Sequence, residues 1–299
     1  MEVPTPLNLY RTIPDRATLE REYSPSSCVD DIGVLLDEYT SRSERARATV
    51  PGLRSLAYGP AEAERIDFFP AARSGEVDGA GPLVVFVHGG YWQELSPTEH
   101  SFPAAGLAPR GIHYAAVGYG LAPAATLREM VERCCRAVDW LFTHADRLGV
   151  DPDRIHLAGS SAGAHLAAMV ALSRSEAPPL ASLTLLSGVF DLRPIPLTYV
   201  NDALGLTDEQ ALLSSPLLLV DTTAGAWPPT LVAVGENETG EFHRQSVEFA
   251  DALTAKGVPV TSCRVAGRNH FDIVFDLADP DTVVGAELTR RLGLRRPHG

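Results

Sequence analysis

The sequence predicts an α/β domain with a mostly parallel central sheet covered by helices on both faces. Short apolar, β-branched runs alternate with helical patterns along most of the chain. The run at 83–87, Leu-Val-Val-Phe-Val, is apolar throughout, as expected of a central strand buried on both sides. The run through Ile155, Leu157 and Ala158 enters the tight turn Gly159-Ser160-Ser161-Ala162-Gly163 and leaves it as a helix over 164–172.

The elements follow in order. Residues 1–22 are polar and broken by prolines, and read as an arm over the main body. Tyr23-Ser24-Pro25-Ser26-Ser27 is a turn-rich loop, and Ile32, Leu35, Leu36 and Tyr39 recur at helical spacing, giving a helix over 30–48. The stretch 1–50 is thus an arm and a helix packed on the body. Strands at 53–58 and 66–69 flank a Gly59-Pro60 turn. A glycine-rich, charged loop covers 73–81, and the strand at 83–87 runs into His88-Gly89-Gly90-Tyr91-Trp92. Residues 98–109 are weakly helical with Pro103 near the start. A strand at 112–117 ends in the turn Tyr119-Gly120-Leu121-Ala122-Pro123. Leu127, Met130, Cys134, Val138 and Leu141 then mark one face of a helix over 126–141. Another strand spans 183–186. Regular periodicity fades from 187 to 229, apart from a short helix at 208–213, so 188–229 reads as an elaborated connection over a cleft. A strand at 231–234, a helix at 241–255, a strand at 258–265 interrupted by Pro259, a short helix opened by His270 and a helix at 282–292 complete the chain. There is no internal repeat and no linker, so 1–299 is expected to form one domain.

Composition narrows the function. The chain has 299 residues, of which 45% are hydrophobic, enough for a large α/β core. A formal charge of −13 argues against nucleic acid or an anionic membrane as partner. The start M-E-V-P-T-P has no basic region followed by an apolar run, and no stretch is long and apolar enough to span a bilayer. Cys28, Cys134, Cys135 and Cys263 lack ligand-like spacing, so a reduced, cytoplasmic protein without metal or cofactor is expected. A homodimer is an ordinary expectation that no sequence feature selects.

The turn at 159–163 matches G-x-S-x-G, the nucleophile elbow. Its glycines relieve crowding where the chain turns sharply, leaving the Ser161 hydroxyl exposed above the sheet. A serine hydroxyl is poorly nucleophilic at neutral pH and needs a base. His270 follows the last sheet strand, on the side of the elbow, and is the best candidate. His144, His156 and His165 are weaker, His165 being placed to pack and hydrogen-bond instead. The carboxylate that orients the base is expected after the strand at 231–234, where Glu238 is favoured over Glu236. The order Ser161, Glu238, His270 suits a hydrolase triad. Gly89 and Gly90, with the amide of Ala162, are candidate oxyanion donors. Tyr91 and Trp92 stand beside them as candidate substrate walls. His88 reads as a residue that fixes the loop, and Ser160 as a neighbour of the nucleophile.

The sequence resembles the kynurenine formamidase (arylformamidase) family of the α/β-hydrolase superfamily. The motifs that carry the resemblance are Tyr23-Ser24-Pro25-Ser26, Phe86-Val87-His88-Gly89-Gly90-Tyr91-Trp92-Gln93, Tyr119-Gly120-Leu121-Ala122-Pro123, Ser161-Ala162-Gly163-Ala164-His165-Leu166, Glu241-Phe242-His243-Arg244-Gln245-Ser246 and Asn269-His270-Phe271-Asp272. They extend from about residue 23 to 276. The resemblance implies an α/β-hydrolase fold and hydrolysis of an N-formyl aryl amine, such as N-formyl-L-kynurenine, to the amine and formate. The nucleophile, acid and histidine fall on Ser161, Glu238 and His270, and Tyr91, Trp92, His88, Tyr23 and Ser160 are the candidate substrate contacts. The chain departs from the family where an aspartate is commoner than Glu238 and where a histidine often stands at Ser160. The alternatives are an esterase of broad aryl or alkyl specificity, a deformylase or deacylase for another aromatic metabolite, and a hydrolase scaffold reused for binding.

Overall fold

The computed structural model describes residues 9–72, 80–174, 177, 179–222 and 227–294. Its strands are β1 (Arg54–Ala57), β2 (Arg65–Phe69), β3 (Gly81–Val87), β4 (His113–Val117), β5 (Val150–Ser160), β6 (Ser182–Leu186), β7 (Thr230–Asn237) and β8 (Val260–Asn269). They form one sheet in the order β1-β2-β4-β3-β5-β6-β7-β8. β1 and β2 pair antiparallel, as do β2 and β4, and every other pairing is parallel. The predicted α/β-hydrolase architecture is therefore present.

The apolar run in β3 explains why the sheet is covered on both sides. Leu83, Val85 and Val87 enter one core cluster, Val84 and Phe86 the other. Successive strand residues point to opposite faces, so a strand with a core on each side has no polar position. β7 divides likewise, Val232 and Val234 to one side, Leu231 and Ala233 to the other.

The helices are α1 (Arg16–Glu22), α2 (Ile32–Thr49), α3 (Pro103–Leu107), α4 (Leu127–Thr143), α5 (Ala145–Leu148), α6 (Ala162–Leu172), α7 (Asn201–Leu204), α8 (Asp208–Leu213), α9 (Pro216–Leu219), α10 (Gly240–Ala255) and α11 (Val283–Arg291). α4 buries Leu127, Met130, Cys134, Val138 and Leu141 and opens on a capping box between Thr126 and Glu129. α6 buries residues from Ala162 through Ala168 around its whole circumference, as a helix does at the centre of a fold.

Several expectations shift. The arm is not irregular throughout, because the Asp15 carboxylate accepts from Thr18 N at 2.8 Å and starts α1. The loop at 23–27 closes into a 3₁₀ turn, Pro25–Cys28. Helix in 98–109 is confined to α3 and a 3₁₀ turn, Ala108–Arg110. Pro259 precedes β8 rather than interrupting it, since its carbonyl accepts from Thr230 N at 2.9 Å and needs no N–H of its own. β7 and β8 also run to Asn237 and Asn269, further than their apolar runs suggested, and so deliver Glu238 and His270. The short helix after His270 is a 3₁₀ turn that begins at Ile273. Most of the loop expected at 73–81, and 223–226 of the long connection, lie outside the described residues. No helix among the described residues is long and apolar enough to cross a membrane.

Candidate active site

At the end of β5 the chain turns through Ser161, whose φ of 56° and ψ of −120° are unusual for a residue with a side chain. Two glycines make the turn possible. A Cβ on Gly159 would lie 2.3 Å from Gly163 O, and one on Gly163 2.0 Å from Val87 O. Ser161 N donates to Leu186 O at 2.8 Å, which ties the elbow to β6. Ser161 stands at the N-cap position of α6, yet its side chain makes no capping hydrogen bond. The ordinary role of a serine at a helix start is therefore not the one it plays.

Glu238 and His270 meet across the ends of β7 and β8. His270 Nδ1 donates to Glu238 Oε2 at 2.7 Å, with both side chains buried. The other carboxylate oxygen, Oε1, accepts from Ser187 Oγ at 2.5 Å and from Gly235 N at 2.6 Å. With Nδ1 carrying the proton, the neutral imidazole presents Nε2 as its acceptor. A short cap fixes the histidine turn: Asp272 Oδ1 accepts from Asn269 N at 2.7 Å, and Asn269 Oδ1 from Phe271 N at 2.9 Å. Glu236 is turned outward and accepts from Gly267 N at 2.9 Å, so it takes no part. Ser187 was missed in the sequence, where no motif marks it.

The loop after β3 flanks the elbow. A Cβ on Gly89 would sit 3.1 Å from Ser160 O and 3.2 Å from Ser161 Cβ. Ala162 N belongs to the first residue of α6 and has no partner within that helix. Gly89 and Gly90 thus line the same cavity as Ser161, and Ala162 follows Ser161 directly at the start of α6. His88 holds the loop from below: Nδ1 donates to Gly89 O at 2.9 Å, its carbonyl accepts from Tyr119 Oη at 3.0 Å, and the two rings stack at 4.3 Å. Burial lowers its pKa to about 3, which keeps it neutral.

Ser161 and His270 open on one cavity of about 210 Å³, together with Gly89, Gly90, Tyr91 and Ser160. Of the other candidate contacts, Trp92, His88 and Tyr23 are buried and do not line it. The Trp92 indole N–H donates to His165 Nδ1 at 3.3 Å, and His165 Nε2 donates to Ser214 O at 2.8 Å, so the large ring supports α6 from the core. Tyr23 acts one layer out. Its carbonyl accepts from Tyr91 Oη at 2.6 Å, and its hydroxyl donates to Glu241 Oε2 at 2.9 Å. Among the described residues of the 188–229 connection, Tyr199 and Val200 line the cavity. The opposite wall comes from the 3₁₀ turn and α2, with Pro25, Ile32, Leu36 and Tyr39. Those apolar side chains show the same spacing as any core helix, so nothing in the sequence separated wall from core.

The chain matches the alpha/beta hydrolase fold family over residues 84–273. Kynurenine formamidase of Danio rerio is 36% identical over 288 residues, covering 92% of this chain and 96% of that protein. The Drosophila melanogaster kynurenine formamidase is 32% identical and covers 81% of each chain. The chain belongs to the kynurenine formamidase family.

This formamidase-family chain also has more distant matches. An isoprenylcysteine alpha-carbonyl methylesterase of Arabidopsis thaliana is 28% identical, covering 76% of this chain and 58% of that protein. A solved structure from Silicibacter sp. TM1040 superposes with a TM-score of 0.78 at 25% identity, over 91% of this chain and 98% of that one. The carboxylesterase EstE1, cloned from a metagenomic library, superposes at 0.70 with 24% identity, over 91% and 98%, and speaks for the fold alone. Both departures from the family pattern are accommodated. Glu238 reaches His270 while Ser187 and Gly235 hold its second oxygen, and Ser160 lies on the cavity wall, 5% exposed.

Proposed function

We propose that the protein hydrolyses the formyl amide of an aryl amine, N-formyl-L-kynurenine being the reference substrate, through a formyl-enzyme on Ser161. The observation that carries this reading is the buried Glu238–His270 pair opening on the same cavity as Ser161 in a chain of this family. His270 Nε2 takes the Ser161 proton as Oγ attacks the formyl carbon. The amides of Gly89, Gly90 and Ala162 stabilise the tetrahedral oxyanion. The imidazolium, held by Glu238, gives its proton to the leaving amine nitrogen, and the C–N bond breaks. Water then attacks the formyl ester with His270 again as base, releasing formate and restoring Ser161. At about 210 Å³ the cavity is smaller than the roughly 300–1,000 Å³ of drug-sized ligand sites. That size suits a one-ring leaving group and a one-carbon acyl group.

Ester hydrolysis is the second reading, supported by the likeness to a methylesterase. The same groups would perform it, with an alcohol leaving in place of the amine. Measuring kcat/KM for N-formyl-kynurenine beside p-nitrophenyl acetate separates the two: the formamide is expected to be preferred, and a large preference for the ester would reject the formamidase assignment. Ser161→Ala is expected to lower kcat by at least 10³-fold on either substrate, with the fold retained by circular dichroism. Unchanged turnover would place the chemistry elsewhere.

A further inference from the structure

Resting on the reading of an aryl-amine leaving group, we infer that Glu94 binds a cationic nitrogen on that group, and that the site offers no Arg or Lys to an anion there. Among the described residues lining the cavity, Glu94 is the one Asp or Glu, and no Arg or Lys accompanies it. Its carboxylate is exposed and makes no hydrogen bond or ion pair among the described residues.

The position of Glu94 is fixed relative to the chemistry. Gln93 N and Glu94 N both donate to Gly90 O at 2.9 Å, closing a tight turn. Gly90 has a φ of 98°, and a Cβ on it would meet Glu94 O at 2.2 Å, so only glycine permits this fold of the loop. One turn therefore carries both a candidate oxyanion amide and the free carboxylate. Several arginines outside the cavity lining are engaged with other groups. Arg42 pairs with Glu38 and lies over the Phe275 ring, Arg193 and Arg244 bind Asp191, and Arg268 binds Asp276. His100, also on the wall, is held neutral by burial, with its pKa lowered to about 4. The Gln93 amide donates to Val200 O at 2.8 Å. A side chain with an ammonium group would find a charge-assisted acceptor at the cavity, whereas a carboxylate would meet a like charge and no lining Arg or Lys among the described residues. For N-formyl-kynurenine, the α-ammonium would be read and the α-carboxylate left in water. The net charge of −13 draws cations in the same sense at longer range.

The test uses the full chain with two matched substrate series, formanilides and phenyl acetates. Each series carries a short tail ending in an ammonium, a methyl or a carboxylate group. The ammonium tail is expected to raise kcat/KM roughly fivefold over the methyl tail, and the carboxylate tail to lower it. The ratio should shrink as salt rises. In Glu94→Gln the ammonium-to-methyl ratio should fall to near one, and in Glu94→Lys the order should invert, with thermal melts confirming that both variants fold. Preference for the carboxylate tail, or ratios unchanged in both variants, would overturn the inference. The two axes fail separately. If only the esters are hydrolysed, but with this charge order, the formamidase reading falls and the role of Glu94 stands. If formamides are hydrolysed without any charge order, the reverse holds.

Discussion

Ser187 belongs to no motif, yet it is fully buried and adopts a φ of 50° so that its hydroxyl reaches Glu238 Oε1. It acts as a positioning residue: with Gly235 N it fixes the carboxylate, and the carboxylate fixes the His270 tautomer. Ser187→Ala is expected to lower kcat roughly tenfold with little change in KM, because a charge-assisted hydrogen bond of about 1.5–3 kcal/mol is lost away from the substrate. A merely structural serine would instead lower the melting temperature and leave kcat unchanged. At this scale, what could be read from the sequence followed the chemistry. Ser161, Glu238 and His270 were marked by turns after apolar runs, a pattern forced by where a doubly wound sheet presents its catalytic groups. Ser187 was hidden because a serine after β6 looks like any loop residue. Trp92 was misplaced because an aromatic beside an oxyanion loop suits a wall and a core equally, and only its indole partner, His165, decides for the core.

At the level of elements, the N-terminal segment is part of the site rather than a covering over it. Tyr23 ties it to α10: its hydroxyl accepts from Gln245 Nε2 at 2.6 Å and donates to Glu241 Oε2, while Gln245 Oε1 accepts from Phe190 N at 2.6 Å. Asp191 is fully buried within the same knot. Burial would push its carboxyl upward, but hydrogen bonds from Arg193 and Tyr10 outweigh it and hold the pKa below the usual value. Tyr23→Phe removes the bridge between Gln245 and Glu241 and is expected to cost about 1–3 kcal/mol of stability. Because Pro25 and Ser26 line the cavity two and three residues on, KM should rise more than kcat falls, as steady-state kinetics on the variant would check. Strands and long helices were legible because periodicity and continuous apolar runs reflect burial on one face or two. α1 was missed because it is short and has one buried residue, Leu19. Its cap at Asp15 was the only local signal.

Across the whole molecule, buried neutral histidines couple stability to pH. Burial lowers the pKa of His88 to about 3 and of His100, His156 and His165 to about 4. In the unfolded chain each would titrate near 6.5. Between those limits the unfolded state binds protons that the folded state does not, so each histidine removes about 1.4 kcal/mol of stability per pH unit as pH falls. The melting temperature should therefore hold above pH 7 and drop steeply from about pH 6.5 toward pH 4, as scanning calorimetry over that range would detect. A flat profile would mean that these rings are charged or solvated in the native state. The α/β architecture was legible, but the strand order was not: crossing from β4 back to β3 and on to β5 leaves no local mark in a sequence. The contact between Gly163 and the carbonyl of Val87 has a wider meaning. It welds the hydroxyl and its neighbouring glycine loop onto one foundation, where even a methyl group would pry them apart. The opposite bank, the N-terminal turn and α2, carries no such constraint and can be rewritten to change substrate taste while the reacting machinery stays whole.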